Sequence, residues 1–448
     1  MFHPTALRNN SMRLLSVLVL GLCLSSLAAD PHEQWPGFRG PLQTGVAPHA
    51  DPPVEWSEEK NIRWKTELPG LGHSSPVVWD NQIFLTTAIP AGEPLAEPKY
   101  SGRPGAHNNL PITQKQQFAV LAYDRKTGDQ LWQTTVNEQL PHEGGHETGT
   151  YASASPVTDG ERVFAFFGSY GLYCLDGKSG EILWQKDLGD QFTKHGHGEG
   201  SSPALWKDTL LVNWDHEEDS YLIALETTTG EERWRAKREE RTSWSTPIIA
   251  TVDEKPQAIV SATGAVRGYD LNTGKVIWWA KGLSDNVVAT PVYGDGILYA
   301  LSSYTFRAGM AIRIDDGAKG DLGSTDRILW RTNSRTPYIP SPLLYDGILY
   351  YLAHYQGVVT RKVGETGEEP TGPFRINNIT DVYASPVAAA GKIYFVDRSG
   401  LVAVLSNDPE PQLLGSNFLE DSFSATPALV GDLLILRGQN YLYSIGQE

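Results

Sequence analysis

The chain has 448 residues, 40% of them hydrophobic and 20% charged, with a formal net charge of −16. That balance gives no expectation of a basic groove for nucleic acid. No apolar run of about eighteen residues occurs after the first thirty positions, so no spanning helix is expected. Gly (44) and Pro (29) mark frequent turns, and 13 Trp and 19 Tyr against 3 Met suit sheet packing better than helix packing.

The N-terminus reads as a targeting segment. Arg8 and Arg13 precede the apolar stretch LLSVLVLGLCL, and the small residues Ser26 and Ala28 fit cleavage after Ala28 or Ala29. Met12 would serve equally as a start. Leu22 is too large for a lipid-attachment motif at Cys23, so ordinary cleavage is expected. Residues 1–28 are therefore assigned as a signal peptide, and the mature chain as periplasmic or secreted. Cleavage leaves Cys174 alone, with no partner for an internal disulfide, and it reads as a small buried hydrophobe in a strand.

Residues 29–60 read as an extended arm lying on the folded body of the chain. From residue 61 onward two phrases alternate. One is AYDRKTGDQLW at 122–132, answered by CLDGKSGEILW, ALETTTGEERW and GYDLNTGKVIW. The other is a small residue, Ser or Thr, Pro and an apolar run, with its prolines at Pro76, Pro156, Pro203, Pro247, Pro291, Pro342, Pro386 and Pro427. A repeat in the forties with about four strands per unit predicts a β-propeller.

Within each unit, strand A comes after the proline, an Asp-Gly type turn leads to B, and C ends in the acid of the first phrase. A Thr/Ser-Gly turn then leads to D and its Trp. The closing aromatic positions are Trp132, Trp184, Trp234, Trp278 and Trp330, with Phe374 and Leu413 in decayed repeats. The eighth unit lacks strand D, and NIRWKTEL at 61–68, with Trp64, is expected to supply it. The fold class is therefore all-β: an eight-bladed propeller over residues 61–448 whose N-terminal strand closes the last blade. An insertion at 88–117 separates strands B and C of blade 1. The Trp side chains are assigned to packing between blades, each burying on the order of 150–250 Å².

AYDRKTGDQLW resembles the tryptophan-docking motif of eight-bladed quinoprotein dehydrogenases and of the PQQ-like repeat superfamily around them, which includes non-enzymatic BamB-like propellers. The resemblance covers about residues 61–446, and WPGFRGPLQTGVA at 35–47 resembles the lead-in of secreted bacterial members. The motif is specific for the fold and says little about activity.

Antiparallel topology puts the D-to-A and B-to-C connections on one face, and these are the long ones, so a site is expected there. His73 precedes the first A strand, His142 and His146 lie in the loop into blade 2, and His195 and His197 in the loop into blade 3. His107 lies in the insertion. Imidazole with the neighbouring carboxylates suits a transition metal, and His73, His146, His195 and His197 are the candidate ligands. HEGGHE at 142–147 matches the zinc-peptidase string, but that motif works on a helix, and Pro141, Gly144 and Gly145 argue against one.

The quinoprotein resemblance implies an aromatic platform, a calcium site, an arginine and a vicinal disulfide cap. One remaining cysteine makes the cap impossible, and VSATGAV at 260–266 lacks the asparagine that such enzymes carry there. Trp244, Arg241, Tyr151 and Asp285 are the positions where a cofactor would sit, although Trp244 also suits packing at the channel mouth. PQQ itself is not expected. The preferred reading is a binding or scaffold propeller whose long-loop face engages a protein or a polysaccharide. The alternative is an oxidoreductase, quinoprotein-like or metal-dependent, with its site at the channel mouth.

Overall fold

The computed structural model describes Met1 and residues 30–447, so the signal-peptide assignment lies outside the described residues. Eight sheets, each with four antiparallel strands in the A-to-D order, are arranged as an eight-bladed propeller, and one sheet gains a short fifth strand that pairs parallel. Blade 1 comprises Val77–Trp79, Gln82–Ala91, Lys115–Asp124 and Gln130–Gln139. Its B and C strands thus run into the inserted stretch as a tall ladder. Blade 8 is closed by Ile62–Glu67, which pairs with Tyr441–Ile445 in the order D, C, B, A. The N-terminal strand therefore completes the last sheet, as its pattern predicts, and leaves no open edge between first and last blades.

The Ser/Thr-Pro phrase has a direct physical cause. Before seven of the eight prolines, the backbone N–H of the preceding residue donates to the hydroxyl of the same residue in the next blade. Ser75 donates to Ser155 (2.8 Å), Ser155 to Ser202 (2.9 Å), Ser202 to Thr246 (3.1 Å) and Thr246 to Thr290 (3.1 Å). The series continues from Thr290 to Ser341 (3.0 Å), Ser341 to Ser385 (2.9 Å) and Ser385 to Thr426 (3.0 Å). Innermost strands have no strand neighbour on the axial side, and these buried amides would otherwise be orphaned. Proline holds the preceding residue extended, which aims the N–H across the gap.

The other phrase also works across blades. Trp132 Nε1 donates to the Gly177 carbonyl of blade 2 (3.1 Å), and Thr134 Oγ1 to that of Gly180 (2.7 Å). The ring lies flat on Gly180, where φ is +71° and an added Cβ would stand 2.6 Å from the indole. Trp64, Trp184, Trp234 and Trp330 dock in the same way, on Gly128, Gly230, Gly274 and Gly367. So the glycine of one phrase receives the Trp of the preceding one. Trp278 differs. Blade 5 has a long C-to-D connection in place of the Thr-Gly turn. Gly320–Asp321 of that connection pairs alongside Trp278 and Trp279, and the indole bonds to Gln257 of its own blade.

The segment at 35–46 is turn-rich and enters the channel on the inner side of the A strands. Trp35, fully buried, exchanges both backbone bonds with Val78. The Pro36 carbonyl accepts from Thr158, Gln43 Oε1 from the Ile249 amide, and the Gly45 carbonyl from Ala388. Blades 1, 2, 4 and 7 are thereby bridged. Arg39, 1% exposed, donates to the carbonyls of Pro386 (2.9 Å), Thr44 (2.5 Å) and Pro342 (2.5 Å). Its charge is held by carbonyl dipoles, and burial lowers its pKa to about 9.

Gly180→Ala is expected to lower unfolding stability by about 2–4 kcal/mol, since it adds left-handed strain and a clash with the indole. Ser202→Ala leaves the Ser155 N–H buried without an acceptor, at a cost of about 1–3 kcal/mol. Urea titration followed by tryptophan fluorescence checks both. Midpoints equal to the parent's would refute the docking and the hydroxyl ring respectively.

Candidate functional site

Above the hydroxyl ring a chamber of about 840 Å³ opens on the long-loop face. All eight ring residues line it, and Phe38 of the arm contributes to its lining from within the channel. Among the described residues none of the eight hydroxyls has a protein acceptor for its own hydrogen, so each keeps a donor free. The residue two positions before each ring hydroxyl also lines the chamber: His73, Ser153, Gly200, Trp244, Val288, Ile339, Tyr383 and Ser424. An extended chain has a period of two, so these side chains share the axial face.

One wall is aromatic. Tyr304 and Tyr338 have ring centroids 5.4 Å apart, Tyr338 stacks on His354 at 5.0 Å, His354 lies 4.5 Å from Tyr355, and Tyr355 6.0 Å from Tyr383. The arc comes from loops of blades 5, 6 and 7. The positions are B-to-C turns (Tyr304, His354, Tyr355) and D-to-A loops (Tyr338, Tyr383), both on the face expected to carry a site. None of these rings stood out in the sequence, although topology alone assigns their loops to that face.

The opposite wall carries imidazoles. The rings of His146 and His197 lie 4.8 Å apart, His195 and His197 5.3 Å apart. The fourth member is His107 of the insertion, 4.8 Å from His197, 5.3 Å from His195 and 6.4 Å from His146. His73 lines the same chamber but stands outside these ring contacts. Its loop is fixed further round, with its N–H on the Ala152 carbonyl, and it is a chamber residue instead of a member of the cluster. Burial first, then the charges of Arg437 and Arg398, push the His73 imidazole down to about 3, so it is neutral at ordinary pH. Burial and its three imidazole neighbours push His197 down to about 4. Among the described residues no three His, Cys, Asp or Glu side chains already stand in coordinating geometry.

HEGGHE forms no helix. Gly145–His146 is a two-residue strand paired with Asn109–Leu110 of the insertion. Glu143 is 3% exposed and accepts from Arg103 Nε (2.9 Å) and from Thr193 N (3.0 Å) and Oγ1 (2.7 Å). It is a strut between the insertion and the loop into blade 3.

Of the four cofactor positions, Trp244 lines the chamber, its Nε1 donating to the Gly198 carbonyl (2.7 Å). Tyr151 lies four residues before its ring hydroxyl and lines a smaller adjoining cavity of about 240 Å³ with Tyr170. Arg241 is 76% exposed beside Glu217, outside the chamber wall. Asp285 accepts from Lys194 (2.9 Å) and Thr305, and does not line the chamber. The chamber wall contains no Lys or Arg, while Glu147, Glu199 and Asp381 contribute to it. Arg398 is paired with Asp381 (3.0 Å), and Arg437 is buried on the carbonyls of Ser74 and Thr86. A quinone with three carboxylates does not fit such a wall, because burying anions needs paired cations.

Glu199 stands between the two cavities. Its carboxyl is enclosed against Gly168 and accepts from Ser169 N (2.7 Å) and Oγ (2.6 Å). Burial outweighs those bonds and raises its pKa to about 8. The folded state therefore holds this proton more tightly than the unfolded chain. The associated stability is full below about pH 4.5 and is lost as pH rises through about 8. Glu199→Gln should flatten the fall in thermal midpoint between pH 5 and pH 8 relative to the parent. An equally steep fall in the variant would sink the assignment.

The profile of a family described as outer membrane protein assembly factor BamB matches residues 116–318 and 218–445. An outer membrane protein assembly factor BamB of Moranella endobia (strain PCIT) is 22% identical over 366 residues, covering 75% of this chain and 83% of the relative. A polyvinylalcohol dehydrogenase of a Pseudomonas species is 24% identical over 348 residues, covering 57% of this chain. The match spans only 54% of that dehydrogenase. The crystal structure of BamB from Moraxella catarrhalis superposes with a TM-score of 0.54 at 14% identity, covering 80% of this chain and 100% of that one. A europium-containing methanol dehydrogenase superposes with 0.65 at 11% identity, covering 91% and 90%. Such identities carry the fold alone. The profile matches, which together run from 116 to 445, place this chain in the BamB family of PQQ-like propellers.

Proposed function

We propose that this chain is an exported binding propeller that takes a neutral, oxygen-rich ligand, the end of a polysaccharide chain, into the chamber of its long-loop face. The observation that carries the reading is the chamber wall: an arc of five adjoining aromatic rings, eight hydroxyls with free donors, and no Lys or Arg. Aromatic faces suit the apolar faces of sugar rings, and fixed hydroxyls suit their oxygens. With the arm inside the channel, the ligand enters from one side. The binding role draws on the BamB relatives, and a leader at 1–28 would deliver the chain to the periplasm or beyond.

The oxidoreductase reading draws on the dehydrogenase relatives, but the wall charges oppose a quinone tricarboxylate. No helix of the described residues is long and apolar enough to cross a membrane. Calorimetry with neutral oligosaccharides of increasing length tests the proposal. Tyr338→Ala and Tyr355→Ala are each expected to weaken binding about tenfold, the equivalent of about 1.4 kcal/mol of stacking. Unchanged affinity in both variants would remove the arc from the site. A protein partner captured by a chain that binds no glycan would replace the ligand class proposed here.

A further inference from the structure

We propose that His107, His146, His195 and His197 bind one divalent transition-metal ion that staples the blade 1 insertion to the loops leading into blades 2 and 3. The four imidazoles come from three separate stretches of chain, which a loose surface cluster would not keep together. Their backbones are fixed. The His146 N–H donates to the His197 carbonyl (3.1 Å) and that of Glu147 to the Asn108 carbonyl (2.7 Å). Asn109 Nδ2 donates to the carbonyls of His195 and Gly196, both at 2.8 Å. His195 is held in the left-handed region at φ 60°, where a non-glycine residue persists only when its surroundings over-determine it. Gly105 faces its ring, and an added Cβ there would stand 2.7 Å from His195 Nδ1.

The nitrogens of His107, His195 and His197 divide in the way metal ligands do. Nδ1 of His107 donates to the Gly105 carbonyl (2.8 Å), and Nδ1 of His195 to that of Pro104 (3.2 Å). Nδ1 of His146 instead accepts from the Thr148 N–H (3.2 Å) and Oγ1 (2.8 Å). In His107 and His195 Nε2 is the unengaged nitrogen with a free lone pair, Nε2 of His197 is buried without a partner, and His146 presents its Nε2 to a metal only once the proton there has left. A hydrogen bond on Nδ1 that fixes the ring and presents Nε2 is the common arrangement of ligating histidines. Spacing agrees as well. Imidazoles bound at 2.0–2.1 Å around one tetrahedral ion have ring centroids about 5 Å apart, and four of the six ring pairs here are 4.8–5.3 Å apart. Loading therefore requires rings to rotate on fixed loops. An all-imidazole set suits zinc, copper or nickel.

The test uses the mature chain, stripped with a chelator and titrated with zinc and with cobalt. One equivalent is expected to bind, with a cobalt visible spectrum of a tetrahedral nitrogen site. Metal should also slow tryptic cleavage after Lys99 in the insertion. A His107→Ala/His197→Ala variant is expected to bind about 100-fold or more weakly, whereas His73→Ala should stay within about twofold of the parent. The fold of both variants is checked by the cooperativity of urea unfolding. Equal metal affinity in the parent and the double variant, or equal loss in His73→Ala, would overturn the site. Oligosaccharide binding is measured on the same samples. Its failure would count against the chamber ligand and leave the metal result standing.

Discussion

The architecture depends on one kind of contact, the backbone N–H of an innermost strand donating to a hydroxyl on the next blade. A propeller has no strand-to-strand pairing across its axis, so every innermost strand is an edge facing inward. Seven hydroxyls supply acceptors at 2.8–3.1 Å and link eight separate edges in series from blade 1 to blade 8. Because each of these hydroxyls is an acceptor in that series, its hydrogen remains available to the channel. The same residues that hold the blades together thus set the polarity of the chamber floor.

At larger radius the blades are joined by indole on glycine. Each docking needs two distant residue types at once: a Trp on strand D and a left-handed Gly on the next blade's turn. This reciprocity explains why the phrase was so readable. A repeated Trp without the repeated glycine would have indicated only a buried aromatic. It also explains the exception, since blade 5 lost the Thr-Gly turn and Trp278 turned to Gln257. Closure by Ile62–Glu67 was legible for a related reason: a strand count that comes up one short must be completed from the other terminus.

The candidate site was legible only where strand periodicity reached it. Trp244 and His73 lie two residues before a ring hydroxyl, so alternation places them on the channel. Tyr151 lies four before, beyond the extended stretch, and turns into the adjoining cavity. The imidazole cluster follows no period. His146, His195 and His197 share a face because their loops do, but His107 joins them through pairing of Asn109–Leu110 with Gly145–His146, a non-local contact that no local pattern announces. Arg241 and Asp285 do not line the chamber. Each found a partner outside the chamber, Glu217 for one and Lys194 for the other, which removed both from the wall.

The arm ties the ring, the chamber and the mouth together. An unoccupied channel would let the A strands face water from both ends, and a ligand could enter from either face. Residues 35–46 occupy that space and bond to blades 1, 2, 4, 6 and 7, with the Arg39 guanidinium seated among carbonyls and no carboxylate in its hydrogen bonds. A buried cation held by dipoles is costly to form, so it is worth keeping only where many strands must be bridged by one group. Phe38, its neighbour in sequence, presents an aromatic surface to the chamber. Stability at the axis and a single open mouth are consequences of the same short segment, which leaves the chamber open on the long-loop face.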